Sequence, residues 1–281
     1  MEEGYALQFF NDALNAGNAM APFSLLILFL GRMLPIIALS PFFGARVLPH
    51  PVKMAFAITL FLIMLPRLIA TTTTPLAFTP LLLLLFVKEV FIGFLIGFLV
   101  TMPFNVVQNA GMVIDHQRGG ASLMVNDPTI QNQSSPLGTI FNMVLICLFF
   151  MFDGPFLFLD MILDSFTIVP VDKFIAASFF EKEGAFWSQL MVLYNKVMIM
   201  SIEMATPGLL IILMTDLFLG ITNRLAPQVQ ITFLGMPLKS LLALTVVGLG
   251  WNVYMTNFVK ESREWLIYIQ QLIQMLSLPT V

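Results

Sequence analysis

Apolar positions in this chain come in long unbroken runs, and the polar positions between them cluster around proline and glycine. The first run covers about Ala21–Leu39, with Arg32 and Pro35 inside it. A turn dense in helix breakers, from Ser40-Pro41 to Pro49-His50-Pro51, leads into a second run, Val52–Leu68. After a polar gap at Thr71–Thr74, Thr79-Pro80 reads as the cap and first residue of a third helix. That helix is expected to end near Met102, because Pro103 follows. A fourth run, Leu137–Phe152, stops at Asp153-Gly154-Pro155, and residues 155–168 read as amphipathic, with Asp160 and Asp164 four apart on one face. Met191–Leu219 forms a fifth helix and Leu238–Phe258 a sixth. At ~1.5 Å per residue the fifth would measure roughly 43 Å, against ~30 Å of hydrocarbon, so a kink at Pro207 or an extension beyond the bilayer is expected. From Lys260 onward a tail places Trp265, Ile269, Leu272, Ile273 and Leu276 on one stripe. Its opposite face carries Glu261, Glu264 and glutamines, which points to a partner helix and away from anionic lipid. Residues 1–20 are polar and lightly acidic, as in a short interfacial helix.

The longest polar interruption runs from Gly111 to Gly138. Gly111, Gly119, Gly120, Asp127-Pro128 and Ser134-Ser135-Pro136 argue against a continuous helix, while Leu123, Met124 and Val125 argue against a fully solvated linker. A loop of that length inside a membrane protein is read as functional. Its candidate residues are Gly111, Asp115, Gln117, Arg118, Gly119, Ser122, Leu123, Met124, Val125, Asp127, Pro128, Ser134, Ser135 and Pro136.

Composition places the pattern in a membrane. Of 281 residues, 58% are hydrophobic and 10% charged, where soluble domains carry about 25% charged residues. The expected fold class is therefore all-α: a polytopic integral membrane protein of about six apolar helices, arranged as hairpins kinked at Pro and Gly. One membrane domain is expected over 1–281, including the central loop 111–138 and the amphipathic tail 260–281. A net charge of −3 without a basic run gives no reason to expect nucleic acid. The single cysteine, Cys147, and the two histidines, His50 and His116, offer no metal or catalytic set, so neither a cofactor nor an enzyme activity is expected. Ser122 has His116 six residues away, but no oxyanion device accompanies them. The acidic start, Glu2-Glu3, is read as a retained N-terminus and not a cleaved signal.

Arg32, Lys88, Glu89, Glu203 and Asp216 fall within apolar helices, and each would cost roughly 2.5–3.5 kcal/mol at a bilayer centre. They must face protein or water. Together with Arg224 and Lys239 at the last turn, they are candidate buried polar or subunit contacts. Lys88 and Glu89 are adjacent and point about 100° apart on a helix, so each is expected to need a partner elsewhere. Either intersubunit contact or an ion relay accounts for these charges; the relay version would make the chain a secondary transporter or ion channel. Gly93 and Gly97 form a GxxxG step that permits close helix approach.

Several of these motifs resemble, in order, one known family. Ala110-Gly111-x-x-Ile114-Asp115-x-Gln117-Arg118-Gly119, Asp127-Pro128 and Ser134-Ser135-Pro136-Leu137-Gly138 are similar to the central loop of the T-type (flagellar R-type) subunit of the bacterial type III secretion export apparatus. Arg32-x-x-Pro35 with Pro41 and Pro49, Glu89-x-x-x-Gly93-x-x-x-Gly97, Asp153-Gly154 through Pro170, and Asn223-Arg224-x-Ala226-Pro227-Gln228 with Gly235-x-Pro237-Leu238-Lys239 extend the likeness over nearly the whole chain. Asp115 matches the virulence-associated injectisome branch, whereas Gly120 stands where Ala is usual. The resemblance implies a multi-pass protein of the bacterial inner membrane that is a structural part of the export gate. It implies assembly with R-type and S-type subunits, contact with the U-type switch and V-type gate subunits, and passage of unfolded secreted proteins. It also implies that the loop lies at the narrowest part of the channel, where it acts as a plug; docking of another subunit is the competing role.

Overall fold

The computed structural model describes residues 20–43, 49–72, 80–119, 135–175, 185–226 and 231–274. Among them are eight α-helices and no strand. In order they are α1 (Ala21–Leu39), α2 (His50–Thr71), α3 (Pro80–Gln117), α4 (Pro136–Met151), α5 (Gly154–Ile168), α6 (Ala185–Leu225), α7 (Ile231–Leu249) and α8 (Trp251–Gln274), with a 3-10 turn at Pro41–Phe43. Helices α1, α2, α3 and the Phe186–Leu225 part of α6 are long and apolar enough to cross a membrane, and two broken pairs, α4 with α5 and α7 with α8, raise the number to six. The chain is thus an all-α, polytopic membrane protein.

Prolines mark these helices less sharply than their sequence positions predict. Helix α3 does not stop at Pro103; it continues to Gln117, 38 residues in all. Helix α6 runs 41 residues through Pro207, which agrees with the expected kink there or extension beyond the bilayer. A proline removes one backbone donor and crowds one carbonyl, which helices packed in a membrane protein tolerate. The boundary of the central loop is corrected accordingly. Gly111, Asp115 and Gln117 are helical, and Pro136 to Gly138 form the first turn of α4. The expected sixth helix, Leu238–Phe258, is instead divided at Gly250, where α7 and α8 meet at a 63° bend. The predicted interfacial helix over 1–20 and the Thr79 cap lie outside the described residues, Met20 excepted.

Contacts divide the chain into two compact units, and α3, α6 and α8 each contribute residues to both. The first comprises Met1–Thr101, Gly154–Met191 and Trp265–Val281. In it α2 packs on α1 and on α5. Phe29 stacks on Phe166, with ring centroids 5.2 Å apart, and tilts against Phe61 at 5.4 Å. The GxxxG step works within the chain. A side chain at Gly93 would collide with the Arg32 carbonyl, and one at Gly97 would lie 3.1 Å from the Ile36 Cα, so only glycine lets α3 cross α1 this closely. Trp265, Ile269, Leu272 and Ile273 are buried, and the Trp265 indole donates to the Leu99 carbonyl at 2.9 Å. The tail stripe expected to await another protein is therefore covered by the chain itself; Leu276 lies outside the described residues.

The second unit comprises Met102–Asp153 and Val192–Glu264. Phe141 is buried against Tyr254 and Phe258, with centroids 5.4 and 5.5 Å away. Gly111 and Gly138 form another close crossing: a side chain on Gly111 would meet the Gly138 Cα at 2.5 Å. Helix α4 ends before Asp153, whose φ of 62° is left-handed and breaks the run.

Candidate functional site

Polar side chains gather at two places, each around one buried carboxylate. In the first unit that carboxylate is Glu89 of α3, fully enclosed. Arg32 of α1, also fully enclosed, donates from Nε to Glu89 Oε2 at 2.5 Å and from Nη2 to Oε1 at 3.0 Å. Its remaining donors reach the Ser165 carbonyl (2.7 Å), the Ser165 hydroxyl (3.2 Å) and the Val169 carbonyl (2.7 Å), and the Phe166 ring lies 4.1 Å from Cζ. Lys88 lies 2.6 Å from Glu89 and donates to the carbonyls of Pro170, Val171 and Lys173 at 2.9–3.2 Å. These carbonyls sit at and beyond the C-terminus of α5, where the helix dipole is negative and favours cations. One carboxylate and a row of backbone oxygens thus balance two buried cations.

This geometry corrects two expectations. Lys88 and Glu89 do pair with each other, because the long lysine stem covers the angular gap that helix geometry puts between neighbours. Their other partners come from α1 and the end of α5, not from a second subunit. Glu89 has both oxygens engaged by cations, which leaves it unsuited to an ion relay.

The second gathering forms the base of the central loop. Asp115, in the last turn of α3, is 1% exposed. Its Oδ1 accepts from Arg118 Nε at 2.7 Å, and its Oδ2 accepts from the Leu137 amide at 2.9 Å and from the Ser135 hydroxyl. Ser135 caps α4, accepting from the Gly138 amide at 2.9 Å, so Asp115 is an anion held at a helix N-terminus. Arg118 Nη1 donates to the Ser240 hydroxyl of α7 at 2.9 Å. The α3 helix closes through Arg118 and Gly119 amides, the latter residue at φ 92°, a conformation glycine adopts without strain. One carboxylate therefore clasps the residues on both sides of 120–134.

Of the residues expected at this loop, Asp115, Arg118 and Ser135 come together, with Gly119 closing the helix beside them. Gly111 serves the helix crossing, and Gln117 and Pro136 are exposed. Ser122, Leu123, Met124, Val125, Asp127, Pro128 and Ser134 lie outside the described residues. Ser240 and Ser165 were not foreseen; nothing near either in the sequence marks its distant arginine.

The remaining candidate charges are not buried. Asp216 pairs with Lys239, their side chains 45% and 22% exposed. Arg224 and Glu203 are exposed, so of the two roles expected of them, burial or subunit contact, the fold of this chain does not supply burial. Lys196, seven residues before Glu203, lies 3.8 and 3.7 Å from Glu261 and Glu264 instead. Among the described residues no three His, Cys, Asp or Glu side chains converge as metal ligands would.

Comparison with known proteins gives these features a context. The model of the family "Bacterial export proteins, family 1" matches residues 23–265. The chain is 33% identical over 168 residues to Yop proteins translocation protein T of Yersinia pestis, a match covering 59% of this chain and 62% of that protein. It is 29% identical over 182 residues to secretion system apparatus protein SsaT of Salmonella typhimurium, covering 65% and 68%. Flagellar biosynthetic protein FliR of Escherichia coli is 27% identical over 224 residues, covering 77% and 80%.

Proposed function

We infer the function from one premise: this chain belongs to the bacterial export proteins, family 1. We propose that it is a structural, channel-forming subunit of a type III secretion export gate in the bacterial inner membrane. In this reading it completes the pore with R-type and S-type subunits, meets the U-type switch and V-type gate subunits, and passes unfolded protein substrates. The names of its relatives, a Yop translocation protein, a secretion apparatus protein and a flagellar biosynthetic protein, support a place in protein export.

The finer proposal is that the segment between Gly119 and Ser135 closes the channel. The observation that carries it is the Asp115 clasp, which binds Arg118 before the segment and Ser135 and Leu137 after it. A closure element must yield to a polypeptide yet return to one place, and a loop tied at its base by one carboxylate meets both demands. Its sequence supplies glycine for mobility and Leu123-Met124-Val125 to exclude water. Deleting Gly120–Val125, or changing Leu123, Met124 and Val125 to serine, is expected to make membranes bearing the assembled gate leaky to small ions. Unchanged ion conductance, with the assembled complex shown to be intact, overturns the closure role and leaves docking of another subunit.

A further inference from the structure

Glu203 stands apart from the other charges. It lies near the middle of the 40-residue apolar stretch Phe186–Leu225, it is exposed, and no hydrogen bond or ion pair holds it among the described residues. Its nearest cation along the helix, Lys196, faces Glu261 and Glu264. Exposed apolar residues flank it on both sides, Ile199 and Ile202 before, Leu210 and Leu213 after. A lone carboxylate on such a surface is costly and marks a place where something else is meant to sit.

The surface beside it is concave. A cleft of about 440 Å³ within the second unit is lined by Glu203 and Pro207 of α6, Leu249 of α7, and Val253, Tyr254 and Asn257 of α8. The break at Gly250, also on its wall, bends α7 away from α8. Tyr254, also on its wall, is 6% exposed, and its hydroxyl is buried. Pro207, four residues after Glu203, has no N–H to give the Glu203 carbonyl. The cleft thus joins an apolar floor to a carboxylate and to a carbonyl lacking its helical donor. That set suits a cation with several donors, inserted from an apolar neighbour.

We propose that this cleft receives a transmembrane helix of a second export-apparatus subunit, apolar on its contact face and carrying one Arg or Lys that pairs with Glu203. A lipid headgroup fits less well, since headgroups lie at the bilayer edge and Glu203 is bounded by apolar surface in both directions. The proposal rests on the reading that the chain works inside an export gate.

The test places the photocrosslinker p-benzoylphenylalanine at Val253 of the full chain, co-expressed in membranes with R-type and S-type subunits. The adduct is expected on an apolar helix of one of them, within one turn of an Arg or Lys. Glu203→Lys is expected to lower both the adduct and the co-purified subunit at least about tenfold. Changing the mapped cation to Glu should restore them. Because Glu203 makes no hydrogen bond or ion pair among the described residues, the level of the variant chain itself should stay unchanged. An adduct confined to phospholipid, an adduct on a helix without a cation, or undiminished recovery with Glu203→Lys overturns the proposal. If the unaltered chain fails to co-purify with either subunit, the export-gate reading falls with it; if it co-purifies and Glu203→Lys does so equally, only the Glu203 assignment falls.

Discussion

Glu89 and Asp115 are both buried carboxylates of the same helix, yet they are built for different tasks. Glu89 lies within the helix; besides its neighbour Lys88 it binds Arg32, 57 positions away, and Arg32 in turn reaches carbonyls 133 and 137 positions from itself. Every donor of Arg32 is used, and the cluster ties α1, α3 and the end of α5 into one core. Asp115 lies in the last turn, and its own partners are nearer in sequence, Arg118 three residues on, Ser135 twenty and Leu137 twenty-two, with Arg118 alone reaching farther, to Ser240. The first arrangement closes a fold; the second joins the residues that flank 120–134. A buried charge therefore says little about function until the span of chain it ties together is known.

Three substitutions sharpen that contrast. Glu89→Ala should have the largest effect, because it strands two buried cations. Losing one partner of such a pair costs roughly 3–5 kcal/mol. The expected outcome is loss of the full-length chain from membranes even without partner subunits, measured by its steady-state level and protease resistance. A normal level with impaired export would show that the cluster serves transport and not folding, and the contrast would break.

Asp115→Asn should be milder. It keeps the size of the side chain but weakens charge-assisted bonds worth about 1.5–3 kcal/mol. The chain is expected to accumulate normally, while hydrogen exchange quickens at Arg118–Gly119 and Ser135–Leu137. Slow exchange there, equal to the unaltered chain, would mean that the carboxylate is not what holds the loop base.

Arg67→Ala should have the smallest effect. The Arg67–Asp164 pair is 3.9 Å long with side chains 53% and 36% exposed. Exposed pairs are worth about 0–1 kcal/mol, so chain level and protease resistance should match the unaltered protein. A loss comparable to that of Glu89→Ala would remove the distinction between buried and exposed charge on which the comparison rests.

The apolar runs alone determined the membrane class and the existence of most helices. Helix α1 begins and ends where its run does, and α4 and α5 fall within a residue of theirs, because an apolar stretch bounded by Ser135-Pro136 or Asp153-Gly154 has few other conformations open to it. The sequence also required Arg32, Lys88 and Glu89 to be matched, since hydrocarbon does not accept them, and it placed Asp115, Arg118 and Ser135 in one candidate segment. What it left open was each residue's partner. Arg32 is answered by Glu89 and by backbone carbonyls at Ser165 and Val169, and carbonyls carry no residue identity for a sequence to display. Likewise, whether Pro103 and Pro207 end a helix depends on neighbours that pack around the missing hydrogen bond, and the covering of the Trp265 stripe depends on where Leu99 happens to lie. Tertiary structure decided these points because each is a contact between distant parts of the chain, whereas periodicity and turn chemistry act over a few residues.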